Sequence, residues 1–260
     1  MGVVYDQSKH KKYPIVYYNV INGDGIHYIR QDCSYYLYVY EGAVKVLRYD
    51  HKTYHLLVAG QYASLSGDWR FCKDTGDNKV DGKAIVIEVH HEEGLYPATK
   101  FRAVNTYGGP IENEGRLMYI DGCTDSLLIP PVKMGDPCLN HLHFPKGITQ
   151  TPHTHPSHRI GVVARGHGEC VTPFGNLALT EGMIFVIKEW DGESYGIGLD
   201  MERHPVGTHC FYTYESSMDV IAFHPDSDFG PTDVNHPMIN RTIVDGVPAS
   251  QIADIQTKSC

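Results

Sequence analysis

The segment His153-Thr154-His155 has the residue types and spacing for metal chemistry. On an extended strand, residues two apart project from one face, so both imidazoles can reach one ion. A second pair of this form, His141-Leu142-His143, lies just upstream. There Cys138, Asn140, Leu142 and Phe144 make the better apolar face, and both histidines are expected to point outward. Of the 16 histidines in the chain, ten fall between His141 and His236, so the second half carries the chemistry to be explained.

Flanking residues set the first pair apart. The order is Gly147-x5-His153-x-His155-x3-Arg159-x6-Gly166. This resembles the first cupin motif, G-x5-H-x-H-x3/4-E-x6-G, with arginine where cupins carry glutamate. The second cupin motif, G-x5-P-x-G-x2-H-x3-N, opens at Gly182 and runs through Met183–Ile187; Lys188 then takes the proline position. An apparent insertion over roughly 191–206 intervenes, and the pattern resumes as Pro205-Val206-Gly207-Thr208-His209, one residue short. The resemblance implies that His209 is the third ligand beside His153 and His155. With Gly42 aligned on Gly166, the corresponding N-terminal positions are Ile29, Gln31 and Tyr35, which predicts a first barrel without a metal.

Three neutral imidazoles leave a divalent ion its full charge and open positions, an arrangement suited to catalysis. Imidazole suits Fe, Zn, Cu and Ni alike, and Mn is a further candidate. Cupins with three histidines and no glutamate resemble thiol dioxygenases and gentisate-type ring-cleaving dioxygenases, which implies Fe(II) and a small anionic substrate. Arg159 agrees with that implication. It shares strand parity with His155, and a guanidinium ~6 Å from a dication is repelled by roughly 5 kcal/mol at an effective dielectric of about 20. An anion bridging the two relieves the repulsion, which makes Arg159 the catalytic candidate; the alternative is that it pairs with a carboxylate at the barrel mouth. His158, Glu193 and Glu202 are candidates for a fourth ligand. Tyr119, Trp190, Phe211 and Phe223 are candidates for apolar walls, and the glycine-rich insertion before His209 for a lid. His204, His224 and His236 are expected in loops.

These residues need a scaffold of strands. Runs such as YYLYVYEG (35–42), KAIVIEVH (83–90), RIGVVARG (159–166) and MDVIAFHP (218–225) are rich in β-branched and aromatic residues and bounded by Gly, Pro, Asp or Asn. Residues 35–65 and 159–187 share the order strand, glycine turn, strand, L-x-x-G, strand, which predicts two similar β-modules over roughly 14–92 and 136–226. The expected fold is all-β: a double-stranded β-helix, the cupin jelly roll, as two tandem barrels. Residues 1–110 are expected to hold a degenerate barrel and connector, and 111–260 the metal-binding barrel with a tail.

Composition excludes several classes. A net charge of −9 disfavours nucleic acid and anionic membrane as partners. No apolar run approaches the ~18 residues of a membrane span, and the first residues lack a signal-peptide core, so a cytoplasmic protein is expected. The seven cysteines are scattered without a CxxC pair, which suggests buried thiols. Rossmann, P-loop and GxSxG signatures are missing from the sequence. The readings that remain are a three-histidine iron dioxygenase; a non-redox metal cupin such as an isomerase, lyase or epimerase; and a non-catalytic binding or structural bicupin. Edge pairing in cupin folds implies a homodimer.

Overall fold

The computed structural model describes residues 2–20, 27–28, 33–48, 54–66, 69–72, 82–90, 105–131, 135–190, 194–197, 202–205, 207–226, 243–248 and 251–252. Two long strands, Cys33–Arg48 and Arg159–Thr172, carry the architecture. Each passes through a glycine with left-handed backbone, Gly42 at φ 61° and Gly166 at φ 74°. Before its glycine, Cys33–Arg48 pairs with Tyr62–Ser66 and Gly82–His90; after it, with Tyr54–Val58 and Trp69–Cys72. Arg159–Thr172 does the same, pairing first with Ile184–Ile187 and Met218–His224, then with Gly175–Thr180 and Cys210–Tyr212. One strand thus serves two walls of a barrel. A side chain could not make the bend at Gly166, where an added Cβ would lie 2.0 Å from the Ser217 carbonyl oxygen.

The internal repeat predicted from spacing extends to the hydrogen bonds. Register shifts fall between Val39 and Glu41 and between Val163 and Arg165, at the same offset from each glycine. The Val39 carbonyl accepts from Gly60 N and the Val163 carbonyl from Gly182 N, both at 2.8 Å. Gly60 and Gly182 close the two L-x-x-G turns read in the sequence.

The described strands form two large antiparallel sheets, with principal orders 2–7, 15–20, 82–90, 33–48, 62–66, 106–108 and 117–118, 124–129, 138–144, 218–224, 159–172, 175–180. This is the all-β jelly roll expected from the strand rhythm. Alternation sorts the side chains into three cores. Leu37, Val39, Val46, Leu65 and Val86 fill the first barrel. Phe144, Val163, Phe211 and Val220 fill the second. Between them, Tyr36, Tyr38, Ile85 and Ile87 pack on Leu139, Ile160, Ile221 and Phe223. The central strands are buried on both faces, which explains their unbroken apolar runs. Each such aliphatic or aromatic side chain contributes about 1.5–3 kcal/mol of burial.

Residues 1–227 make one compact unit and residues 228–260 a second. In the second, Ile243–Val244 pairs with Val247–Pro248 across an Asp245-Gly246 turn at φ 50° and 81°, the geometry that Asp-Gly hairpins favour. His236 lies outside the described residues.

Candidate metal centre

His153 and His209 form an isolated antiparallel bridge in which each backbone N donates to the other's carbonyl, at 2.9 and 3.0 Å. His155 follows two residues on, and its carbonyl accepts from Trp190 N at 2.9 Å. The three imidazole centroids are 4.5 to 5.1 Å apart. Each ring offers a nitrogen within 4.8 Å of the others, so the group could hold one metal ion. His153 and His155 do not lie on a regular strand, as the spacing alone suggested. Pro152 and Pro156 bracket them and interrupt the ladder, leaving only the bridge at His153.

Two of the three rings are oriented by their own backbone. His153 Nδ1 lies 2.8 Å from the Thr151 carbonyl, and His209 Nδ1 lies 2.8 Å from the Gly207 carbonyl. A carbonyl only accepts, so each Nδ1 carries the hydrogen. In the neutral ring Nε2 is then the lone-pair nitrogen. His209 Nε2 is buried without a hydrogen-bond partner, an orphaned acceptor of the kind a metal satisfies. Burial lowers the His209 pKa to about 4, and burial with the Arg159 charge lowers that of His155 to about 2. Both rings are therefore neutral near pH 7, as ligation requires. Gly207, at φ 77°, sets the carbonyl that orients His209; a Cβ there would lie 2.1 Å from Lys188 O.

The three rings border a small cavity of about 30 Å³, with Arg159, His224, Gln150, Tyr119 and Phe211 also in its lining. That volume admits one or two water-sized species and no organic substrate. Arg159 Nη1 donates to Asp226 Oδ1 at 2.9 Å, and Asp226 also accepts from Ser157 Oγ and, at 3.3 Å, from the Tyr13 hydroxyl. Arg159 thus borders the imidazole cavity and pairs with a carboxylate, as the second of the two alternatives posed by the sequence has it. Its Nε is buried without a hydrogen-bond partner. His224 ends the strand Met218–His224 instead of lying in a loop, and burial holds its pKa well below the usual value.

A larger cavity of about 890 Å³ shares Phe185, Ile187 and His209 with the small one, and its size suits a small organic ligand. On its wall, Glu189 stands between two imidazoles: Oε1 is 2.7 Å from His10 Nε2, and Oε2 is 3.7 Å from His158 Nδ1. His158 belongs to this second group and not to the metal cluster. It is buried edge-on against the rings of Tyr5, His10 and Tyr13. His10 carries no local motif and reaches the cavity only because the N-terminal hairpin leads it there.

Other expectations resolve as follows. Tyr119 and Phe211 line the small cavity; Phe223 turns to the inter-barrel core, 5.1 Å from Tyr36. Trp190 is 47% exposed and lines neither of these two cavities. His141 and His143 are buried, not outward: both reach Asp219 Oδ1, at 2.7 and 2.9 Å, and Arg165 Nε donates to Asp219 Oδ2 at 3.0 Å. Their strand is buried on both faces because the other barrel covers it, which strand alternation alone could not reveal. Cys123, Cys170 and Cys210 are buried thiols raised in pKa by burial. Ile29, Gln31 and Glu193 lie outside the described residues. Within the insertion, Ser194–Ile197 pairs with Glu202–Pro205 as a hairpin, and the side chains of Glu202 and His204 are outside the description.

No protein-family model matches the chain, and no curated protein matches it in sequence. Solved structures do. A Pseudomonas aeruginosa protein named for glyoxylate induction shares 12% identity at TM-score 0.57, over 86% of this chain and 79% of that one. A cupin 2 conserved barrel domain protein from Leptotrichia buccalis shares 11% at 0.52, over 86% and 88%. A variant of salicylate 1,2-dioxygenase from Pseudoaminobacter salicylatoxidans shares 12% at 0.51, over 83% and 72%. The chain has the cupin fold. At these identities the likeness is one of architecture, and function has to be argued from the site. Among the described residues, no helix is long and apolar enough to cross a membrane.

Proposed function

We propose that this chain is a metal-dependent bicupin enzyme, a dioxygenase that holds ferrous iron on His153, His155 and His209 and acts on a small anionic organic substrate. The observation that carries this reading is the convergence of three imidazoles, with His209 Nε2 buried and unsatisfied and His209 also lining a ligand-sized cavity. A divalent iron on neutral ligands supplies open coordination positions for substrate and dioxygen. The chain's residues do the rest. The carbonyls of Thr151 and Gly207 orient two of the rings. Arg159, held by Asp226, offers its charge to a carboxylate or phenolate oxygen reaching from the larger cavity into the small one beside the rings. Phe185, Ile187 and Phe211 exclude water from the metal side. Metal analysis of tag-free protein tests the proposal, together with ferrous-dependent oxygen uptake on a panel of aromatic hydroxy acids and thiol acids. Iron with uptake supports it; no metal after reconstitution overturns it.

A second reading, a non-redox lyase or isomerase, has one observation in its favour. Glu189 between His10 and His158 is an acid–base group at the cavity wall. Zinc, nickel or manganese in the protein, without oxygen uptake, would select this reading.

A further inference from the structure

The first barrel carries its own group of ligating atoms. Cys33 and Tyr35 lie on Cys33–Arg48, and Glu88 and His90 on Gly82–His90. The register sets Cys33 opposite His90 and Tyr35 opposite Glu88, so all four side chains project from one face. That face is the interior of the first barrel, where Cys33 and Tyr35 pack with Leu37, Val39 and Val86. Cys33 is 1% exposed, Glu88 6% and His90 8%. Glu88 Oε1 is 2.7 Å from His90 Nε2, and Tyr35 OH donates to Glu88 Oε2 at 2.7 Å. The ligating atoms of Cys33, Glu88 and His90 lie within 4.8 Å of one another. With Gly42 placed on Gly166, Tyr35 corresponds to Arg159. Glu88, opposite Tyr35, then corresponds to His224, one register step beyond the Ile160–Phe223 pair. The group therefore occupies the end of the first barrel that the imidazole cavity occupies in the second.

We propose that Cys33, Glu88 and His90 form a second metal site, specific for zinc and distinct from the three-histidine centre. Charge favours it: Zn²⁺ with one thiolate, one carboxylate and one neutral imidazole is a net-neutral complex, which gives the buried Glu88 carboxylate a counter-ion beyond its contacts with Tyr35 and His90. The donor set is softer than three imidazoles, because thiolate selects zinc over the metals that prefer oxygen and nitrogen. Tetrahedral zinc needs its ligands about 3.3–3.6 Å apart. The Glu88–His90 contact therefore opens slightly on binding, and the wider separations close. Zn²⁺ displaces the Cys33 thiol proton to solvent. Tyr35, on the far carboxylate oxygen, is the positioning residue. The alignment with cupin ligand positions missed this site because it uses neighbouring strands at other positions.

The test uses full-length protein carrying His153→Ala and His209→Ala, which removes the second-barrel group, stripped of metal and titrated with Co(II) and then Zn(II). The expected result is one equivalent of cobalt with intense thiolate-to-cobalt absorption, displaced by zinc. X-ray absorption of the zinc form should then show one sulfur at about 2.3 Å beside nitrogen and oxygen at about 2.0–2.2 Å. Cys33→Ser in this background should abolish the absorption, and Tyr35→Phe should weaken zinc binding about 10–100-fold. A sulfur-free shell, or thiolate absorption that survives Cys33→Ser, overturns the site. If Cys33→Ser does not fold, the X-ray absorption and Tyr35→Phe results still decide. Oxygen uptake by the unmodified chain is not a readout here, so failure of the dioxygenase reading leaves this result unaffected.

Discussion

The backbones of His153 and His209, 56 residues apart in the chain, exchange two hydrogen bonds in register. The ring that arrives from far downstream is placed by the same ladder geometry that pairs strands. The site's precision should therefore depend on backbone as much as on side chains. Gly207→Ala puts a Cβ against Lys188 O and disturbs the carbonyl behind His209 Nδ1. It should lower metal affinity about 10–100-fold with all three histidines intact, as read by competition with a chelator. Unchanged affinity would show that this carbonyl does not orient the ring.

Arg159 and Asp226 separate affinity from stability. Arg159→Gln should keep the metal and lose at least about tenfold in affinity for an anionic substrate, about 1.4 kcal/mol. It also leaves Asp226 without its ion-pair partner and lowers Tm. Adding Asp226→Asn should restore much of the Tm and none of the affinity. Substrate titration and thermal unfolding of the single and double variants check both.

His158 should make the fold acid-sensitive. Burial, then the charges of His10 and Arg159, lower its pKa to about 3. Below pH 6.5 the unfolded chain takes up a proton that the folded chain refuses until about pH 3. Stability therefore falls with falling pH, by about 1.4 kcal/mol per unit from this group. Asp219 and Asp226, with lowered pKa values, add losses only below their ordinary value of 3.8. His158→Gln should flatten the decline of Tm between pH 6.5 and 4; an unaltered slope would count against the burial argument.

Two glycines with similar backbones should respond differently to alanine. Gly166 and Gly147 have φ 74° and 79°, yet a Cβ at Gly166 collides with Ser217 O while at Gly147 it meets nothing within 4 Å. Gly147→Ala should cost about 1–2 kcal/mol, the left-handed penalty alone. Gly166→Ala should exceed about 4 kcal/mol or prevent folding. Denaturant unfolding of the two variants provides the comparison.

Much of this protein is local in origin and readable from the chain. Alternating β-branched and aromatic runs determine strands, glycines at fixed offsets determine where the long strands bend, and the spacing of His153 and His155 marks an imidazole pair, because each depends on neighbours in sequence; His209 joins that group through the resemblance to the second cupin motif. What surrounds that group does not. Asp226 beside Arg159, His10 and Glu189 beside His158, His224 in the cavity lining, and Glu88 with His90 opposite Cys33 are meetings of distant segments with no periodic signal. The same holds for His141 and His143, which are buried because a second barrel covers their strand. Sequence spacing determines which side chains share a face; only the closed sheets determine what each face meets.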